Sequence, residues 1–207
     1  YNPIKYVSNY SVLSITTKGA YNIPYTRTFE ENERTISVDL YREINSIQDW
    51  KQINNSPTEN YMLMTDLDFV NEGSTIRISN SYSGKLEGNG HTLKNLKLGS
   101  SLIHHLSGKI HNVKIENVTF DNGVSYALIL ISDKNAVLDQ IQVKNITADI
   151  EEKTEVLGGL VAFANASTIR NCFVNGFKVE SSREIPKLDV GGIIGRSTTS
   201  TITNSYV

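Results

Sequence analysis

The sequence predicts an all-β fold: a right-handed parallel β-helix with three short strands per coil, a short N-terminal capping helix and a small β lead-in. Three observations predict it. Ile, Val and Thr number 22, 15 and 17 among 207 residues, against 7 Ala. Side chains branched at Cβ are stiff at χ1 and suit pleated sheet better than helix. Asn is abundant, at 21 residues, and Asn favours turns and tolerates left-handed backbone. The third observation is a short pattern that recurs along the second half of the chain, the mark of a repeat architecture.

The elements follow in order. Residues 1–45 form the β lead-in or subdomain and hold six of the ten tyrosines. The alternation of Ile36, Val38 and Leu40 predicts a strand over 34–44, and a less regular pattern predicts another over 6–15. Gly19, Pro24 and the acidic run 30–33 mark turns between them. Residues 46–60 are read as the capping helix and a linker. Ser46 can accept a backbone N–H as N-cap, and Asp49 in the first turn favours the helix dipole. Ile47, Trp50 and Ile53 recur every three residues, giving one apolar face. Such a helix would cover an exposed sheet edge.

Residues 61–207 carry the repeat. Five blocks align: 93–98 (LKNLKL), 110–115 (IHNVKI), 138–143 (LDQIQV), 169–174 (IRNCFV) and 202–207 (ITNSYV). Their shared amide position is Asn95, Asn112, Gln140, Asn171 and Asn204. Five residues after three of these amides stands a second turn residue: Asn117, Asn145 and Gly176. Upstream lie apolar pairs beginning at 102, 128, 160 and 193, with periods of 26, 32 and 33. Three strands per unit with one corner of variable length describe stacked coils. A right-handed sense follows from the rule for parallel crossovers. The amide residues are assigned as a turn ladder, since Asn and Gly accept left-handed backbone and Asn amides can bond along a stack. The fifth block stops before its second turn, so the chain is expected to be a piece of a longer protein.

Charge and composition exclude several functions. The formal net charge is -2 with basic residues scattered, which does not suit nucleic acid. The longest strongly apolar run, 126–131, is far too short to span a bilayer. Cys172 is the only cysteine and is read as a small core residue. His104, His105 and His111 fall close together, but adjacent strand residues point to opposite faces, so no shared metal site is expected. His91 is read as part of a structural turn. Asp66 and Asp68 share a strand face by parity and are the pair a polysaccharide-active enzyme would need.

Residues 61–69 (YMLMTDLDF) resemble a phrase of the streptococcal cell-surface zinc metalloproteases, the immunoglobulin A protease family. Residues 84–93 (GKLEGNGHTL) are similar to that family's glycine-asparagine-glycine-histidine signature. Gly158–Ala162 (GGLVA) and 191–195 (GGIIG) resemble its repeated GLUG motif, Ala162 standing where the last glycine is usual. Residues 44–50 fit the stretch just upstream, so the resemblance covers roughly 44–207. The family's zinc site belongs to a helix with His-Glu-x-x-His, which this sequence lacks. The resemblance therefore implies a non-catalytic portion of a secreted or surface-attached bacterial protease. Zinc is expected in the parent enzyme and no cofactor in this segment. The implied partners are the catalytic domain of the same chain and a host protein substrate such as immunoglobulin A. A passive stalk or adhesin spacer is the alternative reading, and a polysaccharide-active enzyme a second one. Two long corners, 149–156 and 180–190, are the candidate substrate-binding loops, because insertions between repeats fall on one edge of a solenoid. They carry Glu151, Glu152, Lys153, Glu155, Arg183, Glu184, Lys187 and Asp189.

Overall fold

The computed structural model describes residues 4–8, 11–15, 27–31, 34–38, 41–121, 123–150, 153–181, 184–185 and 187–207, with backbone alone for the strands before residue 41. Among the described residues the fold is all-β, with parallel sheets and one short α-helix. In the lead-in, Ile4–Ser8 pairs antiparallel with Ser11–Ile15, and Arg27–Glu31 pairs antiparallel with Arg34–Val38. The strand expected over 34–44 is two strands. Arg42–Ile44 pairs parallel with Tyr61–Leu63, so the parallel architecture reaches across the expected boundary at residue 45. The turn expected at 30–33 also shifts, since Glu30 and Glu31 still pair with Thr35 and Arg34. Gly19 and Pro24 lie outside the described residues.

The α-helix Ile47–Lys51 continues as a 3-10 turn, Gln52–Asn54. Ser46 Oγ accepts from the Asp49 N–H at 3.2 Å, and Asp49 Oδ2 accepts from the Asn45 N–H at 3.1 Å. The Ser46 bond satisfies one donor that a helix start leaves unpaired, and the Asp49 carboxylate ties down the residue before the cap. Trp50 and Ile53 are fully buried and Ile47 packs against the same core. The Trp50 indole donates to the Ile76 carbonyl at 2.8 Å and meets Phe69 edge-on at 5.8 Å. It also lines a narrow, apolar cavity of about 20 Å³ that runs along the core as far as Leu160.

From residue 61 the chain visits three parallel sheets in fixed rotation. Sheet I holds seven strands, from Arg42–Ile44 and Tyr61–Leu63 through Lys85–Glu87, Lys109–His111, Val137–Asp139 and Thr168–Arg170 to Thr201–Thr203. Sheet II runs Leu67–Asp68, Thr92–Leu98, Lys114–Phe120, Gln142–Ile150 and Phe173–Ser181. Sheet III runs Ile78–Tyr82, Ile103–Leu106, Ile129–Ser132, Val161–Asn165 and Ile194–Thr198. Each inner strand pairs with the strand one circuit earlier and the strand one circuit later. Equivalent apolar residues therefore stack in register: Leu86, Ile110, Leu138 and Ile169 in sheet I, and Ile78, Ile103, Ile129 and Val161 in sheet III. All eight are buried. The core is the set of these columns, not a centre between two layers.

Two rows of left-handed residues bend each circuit. Asn112, Gln140, Asn171 and Asn204, at φ 46 to 58, turn the chain from sheet I into sheet II. Asn95, Asn117, Asn145 and Gly176, at φ 58 to 73, bend sheet II midway. Asn95 thus belongs with Asn117, not with Asn112 as the block alignment has it; Leu93 pairs with Ile115 and Leu96 with Val118. The reason is a longer first corner. There Asn89 and Gly90, at φ 52 and 77, form a tight turn closed by the His91 N–H on the Gly88 carbonyl at 2.8 Å. That corner displaces the first circuit relative to the later ones.

A short fourth sheet, Ser125–Tyr126, Val156–Gly158 and Asp189–Gly191, lies between sheets II and III in the sequence of the last three circuits. Its approach to sheet III explains Gly195. The column Leu130, Ala162, Gly195 on sheet III shrinks from circuit to circuit. A Cβ on Gly195 would come within 2.5 Å of Val156 Cγ1 and 2.6 Å of the Leu157 carbonyl. Ala127, Val156 and Ala162 form a second, smaller buried cluster there, with Leu130 and Phe163 packed on it.

Candidate functional site

The two long corners are held at both ends. Upstream, the strands Gln142–Ile150 and Phe173–Ser181 stay paired to the end, through Asp149 with Glu180 and Ile150 with Ser181. Downstream, the chain enters the fourth sheet, where the Glu155 N–H donates to the Val124 carbonyl at 2.8 Å and the Asp189 N–H to the Glu155 carbonyl at 2.9 Å. The Tyr126 hydroxyl accepts from the Gly123 N–H at 2.6 Å. In the second corner Ile185 and Leu188 pack against the main core. These anchors leave Glu184 and Lys187 exposed, and Glu155 and Lys153 are exposed as well. Glu151, Glu152 and Arg183 lie outside the described residues. Asp189 differs from the rest: Arg196 binds its carboxylate, and the same guanidinium lies 6.0 Å over the Phe163 ring. Asp189 is therefore a tie between the corner and sheet III. Sequence reasoning missed Arg196, whose position within an ordinary strand gives no signal of its partner.

The histidines are separated by their partners. His91 Nδ1 faces Asp66 Oδ1 at 3.3 Å, His105 Nε2 faces Asp133 Oδ2 at 2.8 Å and His111 Nδ1 faces Glu87 Oε2 at 2.6 Å. Arg77 places a guanidinium nitrogen 2.8 Å from His104 Nδ1. Burial, then the Arg77 and His105 charges, holds His104 below the ordinary histidine range. Among the described residues, no three potential metal-ligating side chains converge.

Asp66 and Asp68 do lie near each other, but both are committed. The Thr92 N–H donates to Asp66 Oδ1 at 3.0 Å, and Lys94 Nζ lies 3.1 Å from Oδ2. The Thr92 hydrogen bond first, then Lys94, lowers the Asp66 pKa from 3.8 to about 2. A carboxylate so stabilised is ionised at neutral pH and has no proton to give a glycosidic oxygen. Asp68 Oδ1 accepts from the Val70 N–H at 3.1 Å and the Asn95 amide at 2.9 Å.

That Asn95 contact starts a ladder. Asn117 donates to Asn95 Oδ1 and Asn145 to Asn117 Oδ1, each at 3.1 Å. The row ends where Gly176 has no amide to add. In the corner row Asn171 instead donates to Asp139 Oδ1 at 2.8 Å, and Asn204 lies 3.5 Å from Asn171 Oδ1. All eight turn residues are thus left-handed bends, and the amides of Asn95, Asn117, Asn145, Asn171 and Asn204 connect circuits. Among the described residues no helix is long and apolar enough to cross a membrane. Comparison with protein-family models and with curated proteins finds no match to this chain.

Proposed function

We propose that residues 61–207 are a right-handed parallel β-helix, and that the chain is a non-catalytic segment of a bacterial surface or secreted zinc metalloprotease. In this reading it positions the catalytic domain of the same chain and engages a host protein such as immunoglobulin A. The fixed rotation through three parallel sheets supports the solenoid. The family phrases at 61–69, 84–93, 158–162 and 191–195 support the protease setting. The single observation that carries the engagement role is the second long corner. It is pinned by Ile185 and Leu188 yet presents Glu184 and Lys187 to solvent. Residues anchored beside Ile185 and Leu188 lose little conformational entropy on binding. Zinc belongs, in this reading, to the catalytic domain of the parent enzyme.

Deleting this segment from the parent protease tests the role. Slower cleavage of immunoglobulin A, with cleavage of a short peptide substrate retained, is the expected result. Equal cleavage of both substrates by the truncated and full enzymes would sink it. The spacer reading has one observation in its favour: charges along the sheet faces neutralise each other, as in Lys144–Glu116 and Arg170–Asp139. It predicts that reversing the charges of Glu155, Glu184 and Lys187 changes nothing.

A further inference from the structure

Away from the long corners, the outer face of sheet I holds a polar groove of about 220 Å³. Tyr41, Lys85, Glu87, Lys109 and His111 line it, with Leu86 at its floor. The register explains the grouping. Lys85 pairs with Lys109 and Glu87 with His111, so each pair emerges side by side at the strand spacing of about 4.8 Å. One wall is thus cationic. The other is the Glu87–His111 pair, joined at 2.6 Å. Lys109 is exposed, and its ammonium makes no hydrogen bond or ion pair among the described residues.

We propose that this groove binds a single carboxylated sugar. Its carboxylate meets the Lys109 ammonium beside Lys85. Its hydroxyls donate to the Glu87 carboxylate, which His111 holds in place. Tyr41 offers an aromatic face to the ring. Three features select this chemistry over others. The volume falls below the roughly 300–1,000 Å³ of drug-sized pockets, which suits one ring. Glu87 inside the groove repels a dianion such as phosphate and favours a monoanion that carries hydroxyl donors. An acidic peptide is disfavoured because Lys85–Glu87 is paired on both edges, to Tyr61–Leu63 and to Lys109–His111, leaving no edge for strand addition.

The test is a calorimetric or NMR titration of the whole chain with sodium glucuronate, glucose and inorganic phosphate. Saturable glucuronate binding in the millimolar range is expected, with glucose and phosphate at least about tenfold weaker, a difference of about 1.4 kcal/mol. Lys109→Met should lose the preference for glucuronate over glucose, and Lys109→Arg should keep it. Glu87→Gln should weaken glucuronate and glucose alike. Glucuronate binding no tighter than glucose, phosphate binding as tightly as glucuronate, or an unchanged preference in Lys109→Met would each overturn the proposal. Lys109 and Glu87 are outward-facing, so the variants should fold, and an unchanged circular dichroism spectrum checks it.

Discussion

Asn117 shows what a turn residue does here. It holds φ at 59°, donates to Asn95 and accepts from Asn145. Left-handed backbone costs an ordinary residue about 1–2 kcal/mol, and Asn less, because its short amide bonds locally. Asn117→Ala should therefore destabilise by about 2 kcal/mol, from strain and lost hydrogen bonds together. Asn117→Gly keeps the bend and should cost about half as much. Urea unfolding measures both, and equal losses would remove the strain component. Gly176 tests the converse. Asn145 Oδ1 lies 3.2 Å from where its Cβ would be, and φ is 73°. Gly176→Asn should extend the ladder and be tolerated, whereas Gly176→Val should destabilise clearly. Cys172 is fully buried, and burial raises its thiol to about 11. Since the thiolate is the reactive form, labelling at pH 8 should proceed only as fast as the chain unfolds. Rapid labelling of the native protein would contradict this placement.

At the scale of elements, much was legible because each apolar pair recurs in the same register. Leu102-Ile103, Leu128-Ile129, Leu160-Val161 and Ile193-Ile194 all fall at the entry to sheet III. The helix was legible from Ser46, Asp49 and the apolar spacing, since a cap is a local event. Asn95 was misphased because the Asn89-Gly90 turn lengthens one corner, and local pattern matching has no access to that length. Ala166 and Thr199, left-handed at φ 50 and 55, were invisible because neither residue type advertises that conformation. The fourth sheet was equally hidden, though Gly158, Gly191 and Gly195 mark where it meets sheet III. Gly195→Val would drive a branched side chain into Val156 and Leu157, so a loss of about 3 kcal/mol is expected from overpacking. The Arg77–His104 contact gives an element-level pH prediction. The folded state lowers the His104 pKa, so below about pH 6.5 the unfolded chain takes up a proton that the folded one resists. That stability is fully present above this pH and is lost as pH falls toward the folded-state value. His104→Gln should flatten the stability profile between pH 7 and 5; an unchanged slope would locate the titration elsewhere.

At the scale of the molecule, the circuits do two things at once. Their inward columns build the core, and their outward residues repeat a position every circuit, so chemistry on a face is set by a column. Sheet I illustrates the point. Glu87, His111, Asp139 and Arg170 follow one another along a single column and pair across it. Where pairing fails, at Lys109, a groove with unsatisfied charge results. The long corners break the repeat in a different way, by inserting residues that the stack then pins. The proposed solenoid is thus a rigid support whose departures from regularity are its candidate contact surfaces. The most direct measurement is binding of the isolated chain to immobilised immunoglobulin A by surface plasmon resonance. Saturable binding, weakened when Glu155, Glu184 and Lys187 are reversed in charge, is the predicted result. No binding, or binding indifferent to those reversals, would contradict the claim that the pinned corners engage a host protein.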